Sequence, residues 1–467
     1  MNQHPSVRTS RRDLLRHTGT GLGMVALPSL LQAAGSPLVP RSPHFQPRAK
    51  HIIHIYLNGG PSQVDTWDPK PELTRWGGKR LPVGNLTTER ETGVALASPF
   101  KFDQYGESGL WCSEIFQHTA IHHADRLCVI RSMYANTPSH GQSMRLMNTG
   151  DERLSRPSYG SWLTYGLGCE NQNLPGFVTL CPGLPVADSS NWRSSFLPGI
   201  FQATYLDTRK TKVTELIANI QNLRLDPATQ RRQLDLLSQL NRRHQQTRRE
   251  DANLEARIQS FELAYRMQMQ ASDALDVTKE SKAVQELYKA DTVHGRQLLI
   301  ARRLVERGVR VVQCYHGDGQ PWDSHGEIAT NHRKLGNEAD GPTAALLTDL
   351  ARLGLLDETL VICGGEFGRT PAVEIPLRSN AHPTGRDHNH HGFTVWLAGG
   401  GIKGGMAYGA TDDFGYRAVD NRVHVHDLHA TMLYLMGFDH ERLTYRHSGR
   451  DFRLTDVYGT VVKDIIA

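Results

Sequence analysis

The run from Gln313 to His325 places carboxylates and imidazoles close together on a turn-rich segment. It contains His316, Asp318, Asp323 and His325 together with several glycines and a proline. It follows a short apolar segment, 309–314, whose composition is typical of a buried strand. A metal centre or an acid/base site needs these side chains on such a loop. We therefore predict that Asp323 and His325 bind a metal, the alternative being an Asx-type turn with a structural histidine.

Similar polar clusters flank four other predicted strands. They follow the strands at 51–57, 126–131 and 359–363, and one precedes the strand at 393–398. Strands alternating with helices predict a doubly wound α/β fold with a mainly parallel sheet and helices on both faces. Because ligands bind at the carboxyl edge of such sheets, the clusters should converge there. The last cluster joins them if its strand is antiparallel or at the sheet margin. The residues concerned are Asp65, Asp68, Ser139, His140, Glu366, Arg369, Asp387, His388 and His391.

This mixture of ligands predicts one or two divalent metal ions. Carboxylates mixed with imidazoles suit Zn, Mn or Fe, and a carboxylate-dominated subset suits Mg or Ca. Two ions about 4 Å apart are usual for phosphoryl-type hydrolysis, and Arg369 would then bind an anionic substrate. Plainer structural roles stay open for several of these residues. The histidines at 388–391 would lie on a solvent loop, Glu366 beside a helix N-terminus, and Asp65 in a turn.

Composition and charge restrict the class of protein. The chain has 467 residues, of which 38% are hydrophobic, and a net charge of +5 from 53 basic and 48 acidic residues that are largely interspersed. This gives no case for nucleic acid as a partner. We expect one α/β domain over 51–467, with a helical insertion at about 208–306 where arginine, glutamine, glutamate and leucine dominate. The cysteines are scattered and mostly in strand-like runs, so buried free thiols are expected.

The N-terminus reads as a targeting segment. Ser10–Arg16 contains an arginine pair followed by a mildly apolar stretch, which resembles a twin-arginine export signal over residues 1–35. A proline-rich linker is predicted at 36–50. Beyond the signal, no apolar run reaches the roughly 18 residues of a membrane span. The export machinery is therefore an expected partner, and the periplasm or the cell exterior the expected location.

Four motifs carry a resemblance to a known family. They are Leu57–Pro71 (LNGGPSQVDTWDPKP), Gly365–Pro371 (GEFGRTP), Asp387–His391 (DHNHH) and Asp427–Thr431 (DLHAT). Together they resemble an exported bacterial family, the domain of unknown function numbered fifteen-oh-one, over nearly all of the chain after the signal. That family is similar to a distant branch of the alkaline phosphatase and sulfatase superfamily.

The resemblance implies a metal-dependent hydrolase centre. Asp323 and His325 look like the aspartate and histidine of one metal site, with His391 or His388 as its later histidine. Glu366 stands where the superfamily has an acidic ligand at a strand end. The chain departs from the superfamily at the first strand, which ends in Asn58 instead of aspartate, so Asp65 would have to fold back to compensate.

The nucleophile position also departs from the sulfatase pattern. Counting back from Thr149-Gly150 puts His140 there, as nucleophile or acid/base, with Ser139 and Ser143 as neighbours. Ser139, Ser143 and Asn58 are predicted to contact substrate. The leading hypothesis is an exported metal-dependent hydrolase acting on a sulfate or phosphate ester, including those of polysaccharides. The alternative is a non-catalytic exported scaffold or carbohydrate-binding protein on a degenerate core.

Overall fold

The computed structural model describes residues 37–84, 88–217, 224–247, 273–375 and 384–467. Its strands are β1 (His51–Tyr56), β2 (Thr92–Ala95), β3 (Phe102–Tyr105), β4 (Leu110–Ser113), β5 (Leu127–Tyr134), β6 (Phe177–Cys181), β7 (Thr204–Asp207), β8 (Val311–Tyr315), β9 (Thr359–Gly364), β10 (Gly368–Glu374), β11 (Arg386–Asn389), β12 (Phe393–Ala398), β13 (Met406–Tyr408), β14 (Ala410–Thr411), β15 (Ala418–Asp420), β16 (Val423–His424), β17 (Tyr445–His447) and β18 (Arg450–Phe452).

The α-helices are distributed along the whole described chain. They are α1 (Gln63–Thr66), α2 (Pro71–Trp76), α3 (Gln117–His123), α4 (His140–Thr149), α5 (Tyr159–Leu167), α6 (Val213–Leu216), α7 (Pro227–Thr247), α8 (Lys282–Leu287), α9 (Val293–Glu306), α10 (Ile328–Arg352) and α11 (Val425–Leu435). Strands and helices alternate, as the sequence predicts for an α/β fold. Within the described ranges, no helix has the length and apolar composition needed to cross a bilayer.

A mainly parallel sheet forms the centre of the fold. Its order is β13-β5-β12-β9-β1-β8-β6-β7, with β16 also paired to β5. The neighbours β9, β1, β8, β6 and β7 are all parallel. Every residue of β1, β6, β8, β9 and β12 is buried, so both faces of the sheet are covered. The predicted architecture is therefore confirmed.

One strand of this sheet runs against the others. β12 is antiparallel to both β9 and β5, which it separates. Its amino end therefore lies at the same edge as the carboxyl ends of its parallel neighbours. Residues 386–392, which precede β12, are consequently delivered to the edge where the polar loops after β1, β8 and β9 also lie. The sequence predicts that the cluster at 387–391 joins the others if its strand is antiparallel, and β12 is antiparallel.

The histidines inside β1 are part of the core. His51 Nδ1 lies 2.8 Å from the carbonyl of Val309, and His54 Nδ1 lies 3.0 Å from the hydroxyl of Tyr159. Burial lowers the pKa of His54 to about 3, so its ring is neutral at ordinary pH. These rings thus pack in the core with their Nδ1 atoms hydrogen-bonded.

Residues 37–50, predicted as a linker, instead pack against the domain. Leu38 and Ala49 are buried, and backbone N–H groups of this segment donate to carbonyls of Leu167, Leu435 and Glu358. The satisfied backbone groups make this segment part of the folded unit. The predicted signal at 1–35 lies outside the described residues.

The predicted helical insertion is only partly described. α6, α7 and α8 fall within it, whereas residues 218–223 and 248–272 lie outside the described ranges. α9, at its end, is buried along most of its length and contacts β8, so it covers the sheet and is not an insertion. All six cysteines are free and buried, which confirms the prediction for Cys128, Cys314 and Cys363 in the strands.

A buried ion pair joins the loop after β1 to β11. Arg386 Nε and Nη2 lie 2.8 Å and 3.1 Å from the two carboxylate oxygens of Asp65, and both side chains are fully buried. Ser62 also donates to Asp65, at 2.6 Å. Burial alone would raise the pKa of Asp65, but the pair with Arg386 outweighs it and lowers the pKa. Asp65 therefore ties two segments together as an ionised side chain.

We expect Asp65→Asn to lower the free energy of unfolding by about 3–5 kcal/mol, because it leaves the Arg386 guanidinium buried without its counter-charge. Since the folded pKa of Asp65 lies below the unfolded value, its contribution is present above about pH 4 and is lost as pH falls through the folded pKa. Urea denaturation at several pH values measures both effects. Asp357→Asn, at an exposed aspartate, is the control and should change stability by no more than about 0.5 kcal/mol. Equal midpoints for the two variants would contradict the prediction.

Candidate metal centre

The centre is assembled from four loops and strands at the carboxyl edge of the sheet. Asp323 and His325 lie in the loop after β8, His140 is the first residue of α4 beyond β5, and His388 lies in β11 before β12. In the small sheet beside this edge, β10 pairs with β11 so that Arg369 lies opposite His388. The fold thus brings together residues up to 248 positions apart in the chain, from His140 to His388.

One oxygen atom, Asp323 Oδ1, is the meeting point of three imidazoles. The Nε2 atoms of His325, His388 and His140 lie 2.9 Å, 3.1 Å and 3.3 Å from it, respectively. Arg369 Nη2 donates to the same oxygen at 2.6 Å. The other oxygen, Oδ2, accepts a 2.6 Å hydrogen bond from Gln320. Four nitrogens therefore converge on an atom with two lone pairs.

Each of the three imidazoles has a carboxylate at its other nitrogen. His140 Nδ1 lies 2.6 Å from Glu366 Oε1, and His388 Nδ1 lies 2.5 Å from Glu89 Oε2. His325 Nδ1 hydrogen bonds to Glu374 Oε2. A carboxylate that accepts the Nδ1 proton leaves the Nε2 lone pair free to bind a metal, which is the usual outer arrangement around metal-binding histidines.

These contacts have a consequence for charge. If each Nδ1 carries its hydrogen, three Nε2 lone pairs face the anionic Asp323 oxygen, and this is repulsive unless a proton or a cation lies between them. His140 Nε2 is buried and, among the described residues, has no partner with hydrogen-bond geometry. Three imidazoles and one carboxylate oxygen are a donor set that suits a divalent ion such as Zn²⁺. The residues present therefore fit a metal ion.

The pKa values without a metal reflect the same crowding. Burial alone would lower the pKa of His140, but its contacts with Asp323 and Glu366 raise it to about 9. Burial likewise opposes the rise in the pKa of His325 that Asp323 and Glu374 cause. For His388 burial wins, and its pKa is lowered. Burial would raise the pKa of Asp323, but the histidines and Arg369 hold it well below its ordinary value.

A second ligand group shares two of these histidines. Ligand atoms of His325, Asp387 and His388 lie within 4.8 Å of one another, as do those of His140, Asp323 and His388. Asp387 Oδ2 accepts a 2.6 Å hydrogen bond from the backbone of Arg90, whereas its buried Oδ1 has no hydrogen-bond partner in the part of the chain described. Asp387 therefore offers one further oxygen beside the centre.

Arg369 has a different placement from the one expected of a substrate-binding group. Its side chain is fully buried, and its guanidinium donates to the carbonyls of Gly59, Gly60 and Arg386 as well as to Asp323. Its donors are thus engaged within the protein. In this position Arg369 fixes the orientation and the ionised state of Asp323, and a role in binding an anion is not compatible with these contacts.

Gly59 connects these groups through its backbone. It has a φ of +111°, and its N–H donates to Glu366 Oε1 at 3.0 Å while its carbonyl accepts from Arg369. A Cβ at this position would lie 2.6 Å from the backbone nitrogen of Asp323. Only glycine combines this conformation with so close an approach. The Asn58-Gly59-Gly60 turn after β1 is therefore required by the packing of the centre.

Glu366 lies in the outer layer of the centre instead of among its direct ligands. It is fully buried, and its oxygens accept from His140 and from Gly59. Asp65, predicted as a ligand, is committed to Arg386 as described above. His391, also predicted as a ligand, is absent from both described ligand groups. Its ring lies against His390, with centroids 3.8 Å apart. The later histidine of the site is thus His388.

The predicted substrate-binding residues have mainly structural contacts. The amide of Asn58 is buried and donates to the carbonyls of Gly317 and Gly319, at 3.3 Å and 2.7 Å. Ser143 is buried and donates to the carbonyl of Thr137 at 2.6 Å. Ser139, the partly exposed residue that precedes α4, is the N-cap of that helix. Asn58 and Ser143 therefore position loops of the site.

Sequence reasoning missed two residues of the outer layer, Glu89 and Glu374. Glu89 lies in a stretch without regular structure, and Glu374 ends β10. Neither has a local pattern that marks it, because their role depends on the pairing of β10 with β11 and on a contact between distant segments. An imidazole-binding carboxylate of this kind becomes visible only in three dimensions.

We expect Glu366→Gln and Glu374→Gln each to weaken binding of a divalent ion about 10–100-fold, because an amide accepts the Nδ1 proton less strongly and leaves the imidazole less basic. Competition of Zn²⁺ or Mn²⁺ against a coloured chelator measures the affinity. Glu107→Gln, at an exposed glutamate, is the matched control. Unchanged affinity in both variants, at an unchanged unfolding midpoint, would show that these carboxylates do not orient metal ligands.

Several solved structures resemble this chain at low similarity. The PsFucS1 sulfatase from Pseudoalteromonas sp. is 12% identical, with 84% of this chain and 69% of that one covered and a TM-score of 0.35. The lipoteichoic acid synthase LtaP from Listeria monocytogenes is 10% identical, with 89% and 78% covered and a TM-score of 0.36. Alkaline phosphatase from the Antarctic bacterium TAB5 is 10% identical, with 76% and 92% covered and a TM-score of 0.32.

Identities and TM-scores this low assign no activity to the chain. Among functionally curated proteins, no significant sequence match is found. The sequence does match one protein family over residues 49–466, which is nearly the whole chain after the predicted signal. This confirms the family that the four motifs indicated: the chain belongs to the family described as "Protein of unknown function (DUF1501)".

Proposed function

We propose that the protein is an exported, metal-dependent hydrolase of sulfate or phosphate esters, including esters of polysaccharides. The observation that carries the proposal is the convergence of His140, His325 and His388 on Asp323 Oδ1 at the carboxyl edge of a parallel sheet. In α/β proteins this edge is where ligands bind and where chemistry takes place. Export by the twin-arginine route, to the periplasm or beyond, is part of the same proposal.

The ligand types favour Zn²⁺ or Mn²⁺ over Mg²⁺ or Ca²⁺. Three imidazole nitrogens suit Zn²⁺, and their combination with a carboxylate oxygen also suits Mn²⁺, whereas Mg²⁺ and Ca²⁺ prefer sets made only of oxygen ligands. His140, His325, His388 and Asp323 would hold the ion, with Asp387 as the additional oxygen for a second ion. A bound ion of this kind polarises an ester oxygen and lowers the pKa of a water molecule.

The chain's own residues support this chemistry by fixing the centre. Glu366, Glu374 and Glu89 hold the Nδ1 protons of the three histidines and thereby set which nitrogen faces inward. Arg369 keeps Asp323 ionised and oriented. Because Glu366 engages His140 Nδ1 and the buried Nε2 lies 3.3 Å from Asp323 Oδ1, His140 serves better as a ligand than as a nucleophile or an acid/base.

The exposed fractions of the side chains indicate where a substrate would enter and which group would attack it. The side chains of His325 and Asp323 are 20% and 11% exposed, whereas His388 is 2% exposed, so substrate would approach from the side of His325. Ser143, a neighbour of the nucleophile position, is buried, and its hydroxyl donates to a carbonyl. Water is therefore the favoured attacking group, and no covalent intermediate on the chain is needed.

A second function, a non-catalytic exported scaffold or carbohydrate-binding protein, is favoured by one specific observation. Arg369 is fully buried and engaged with backbone carbonyls and Asp323, so it does not offer the guanidinium that an ester-cleaving centre would use on its anionic substrate. A centre with metal ligands and no anion-binding group in its inner layer would bind an ion without turnover.

Turnover assays separate the two functions. We expect wild-type protein reloaded with Zn²⁺ or Mn²⁺ to hydrolyse 4-nitrophenyl sulfate or 4-nitrophenyl phosphate, measured by absorbance. His325→Gln and Asp323→Asn should reduce kcat/KM by at least about 100-fold, since loss of a ligand removes several kcal/mol of transition-state stabilisation. His122→Gln, at an exposed histidine, should leave it unchanged.

Metal content and turnover together distinguish the hydrolase from the scaffold. Bound metal without turnover on either ester class would favour the scaffold. Absence of stoichiometric metal in the wild type, together with unaltered properties of both ligand variants, would reject the metal centre itself. Thermal unfolding of each variant, with and without added metal, separates loss of a ligand from loss of the fold.

A further inference from the structure

A pocket of about 360 Å³ has His391 in its wall, three residues along the chain from His388 of the candidate centre. It is lined by His391, Arg417, Ala418, Val419 and Arg422, none of which is acidic. The backbone N–H of Ala418 donates to the carbonyl of His391 at 2.9 Å, which joins the two segments that form the pocket. The two arginines give the lining of this pocket a positive charge.

Two segments of the chain, residues 388–391 and the loop after β5, connect the pocket to the centre. His391 follows His388 by three residues, which span at most about 11 Å even when fully extended. Tyr134, against which Arg422 lies, ends β5, and the next residue, Ala135, donates its N–H to the carbonyl of His390 at 2.8 Å. Farther along that loop, the carbonyl of Pro138 lies 2.8 Å from His388 Nδ1. A ligand at the centre could therefore reach the pocket.

The position of Arg422 is fixed by its surroundings. Its Cζ lies 4.2 Å from the centroid of the Tyr134 ring, a cation–π contact that uses the face of the guanidinium and leaves its N–H groups available. Its neighbour Asn421 has a φ of +44°, and the Asn421 carbonyl accepts a 2.6 Å hydrogen bond from Ser132. The turn that carries Arg422 is thus anchored to β5 before any ligand arrives.

Within the described part of the chain, no carboxylate neutralises either guanidinium group. Among the described residues, neither Arg417 nor Arg422 forms an ion pair with a carboxylate, whereas many other arginines at the surface do. The nearest acid in sequence, Asp420, accepts from the Asn421 amide at 3.3 Å and does not line the pocket. Both arginines line the pocket, the guanidinium of Arg422 is held against Tyr134, and guanidinium groups match the planar, multivalent oxygens of an oxyanion.

We propose that this pocket is a binding site for a sulfate or phosphate group, with Arg417 and Arg422 as its ligands. Its role as a subsite for a second anionic group of the substrate rests on the proposed function. The substrate class would then be a polyanion, such as a multiply sulfated or phosphorylated oligosaccharide, with one ester at the metal centre and another between the arginines.

Calorimetric titration with a heparin-derived hexasaccharide tests the site, with inorganic sulfate, inorganic phosphate and the desulfated hexasaccharide as parallel probes. We expect Arg417→Gln and Arg422→Gln each to weaken binding of the sulfated hexasaccharide about tenfold, as loss of a charged hydrogen bond does. Arg232→Gln, at an exposed arginine on α7, removes the same charge elsewhere and should change the Kd less than twofold. Tighter binding of the hexasaccharide than of the free ions identifies an ester as the ligand, and equal binding identifies the free oxyanion.

Repeating the titrations in Asp323→Asn protein separates this inference from the proposed function. Arginine-dependent binding that persists in Asp323→Asn would show that the oxyanion site does not require the metal centre, and the same binding in metal-loaded wild-type protein without any turnover would keep the oxyanion site while rejecting the hydrolase. Turnover that continues while binding is the same in wild type, Arg417→Gln and Arg422→Gln would reject the oxyanion site alone. Equal binding of the sulfated and desulfated hexasaccharides would also overturn it.

Discussion

The candidate centre depends on the accumulation of nitrogen atoms around a single carboxylate oxygen, Asp323 Oδ1. At an effective dielectric constant of about 20, two unit charges 4 Å apart interact by roughly 4 kcal/mol, so the charge at this point is decisive. Arg369 supplies one permanent positive charge, and the three imidazoles supply more only when protonated or when a cation lies among them. Metal ions and protons therefore compete for the same Nε2 atoms. The outer carboxylates, Glu366 above all, stabilise the centre both when its imidazoles are protonated and when they bind a cation.

The reversed strand β12 explains how the fold builds this arrangement. Parallel strands bring only their carboxyl ends to the edge, and β8 and β9 deliver Asp323 and Glu366 in this way. β12 points the opposite way, so the segment before it arrives at the same edge with His388. The pairing of β10 with β11 then sets Arg369 opposite His388. The antiparallel direction of β12 thus brings the segment before it to the same edge as the loops that follow the parallel strands.

The sequence predicts much of this because strands and polar loops follow local rules. Apolar runs mark β1, β8, β9 and β12, and the loops at their ends contain Asp323, His325 and Glu366, so the edge and most of the cluster follow from pattern alone. Features that depend on contacts between distant segments cannot be predicted from local sequence patterns. The choice of His388 over His391 is decided by the register of β11 against β10, and the pair of Asp65 with Arg386 by a contact between residues 321 positions apart. Local sequence could not separate a buried guanidinium at Arg369 from one available to substrate.

The burial of Arg369 also determines where an anionic substrate can be recognised. A centre that holds its own arginine against Asp323 has used that charge to stabilise a ligand, and the charge is no longer available to an ester. Arg90, another cation near the centre, is likewise paired with Glu374. Under the proposed function, recognition of the anion would then come from the bound metal or from cations farther out, and Arg417 and Arg422, which form no ion pair within the described ranges, line a pocket together with His391. Because those arginines lie beyond the inner layer, they would select substrates that extend past the scissile group. If the proposed function holds, the same division of charge that stabilises the centre would favour an extended polyanion over a small monoester.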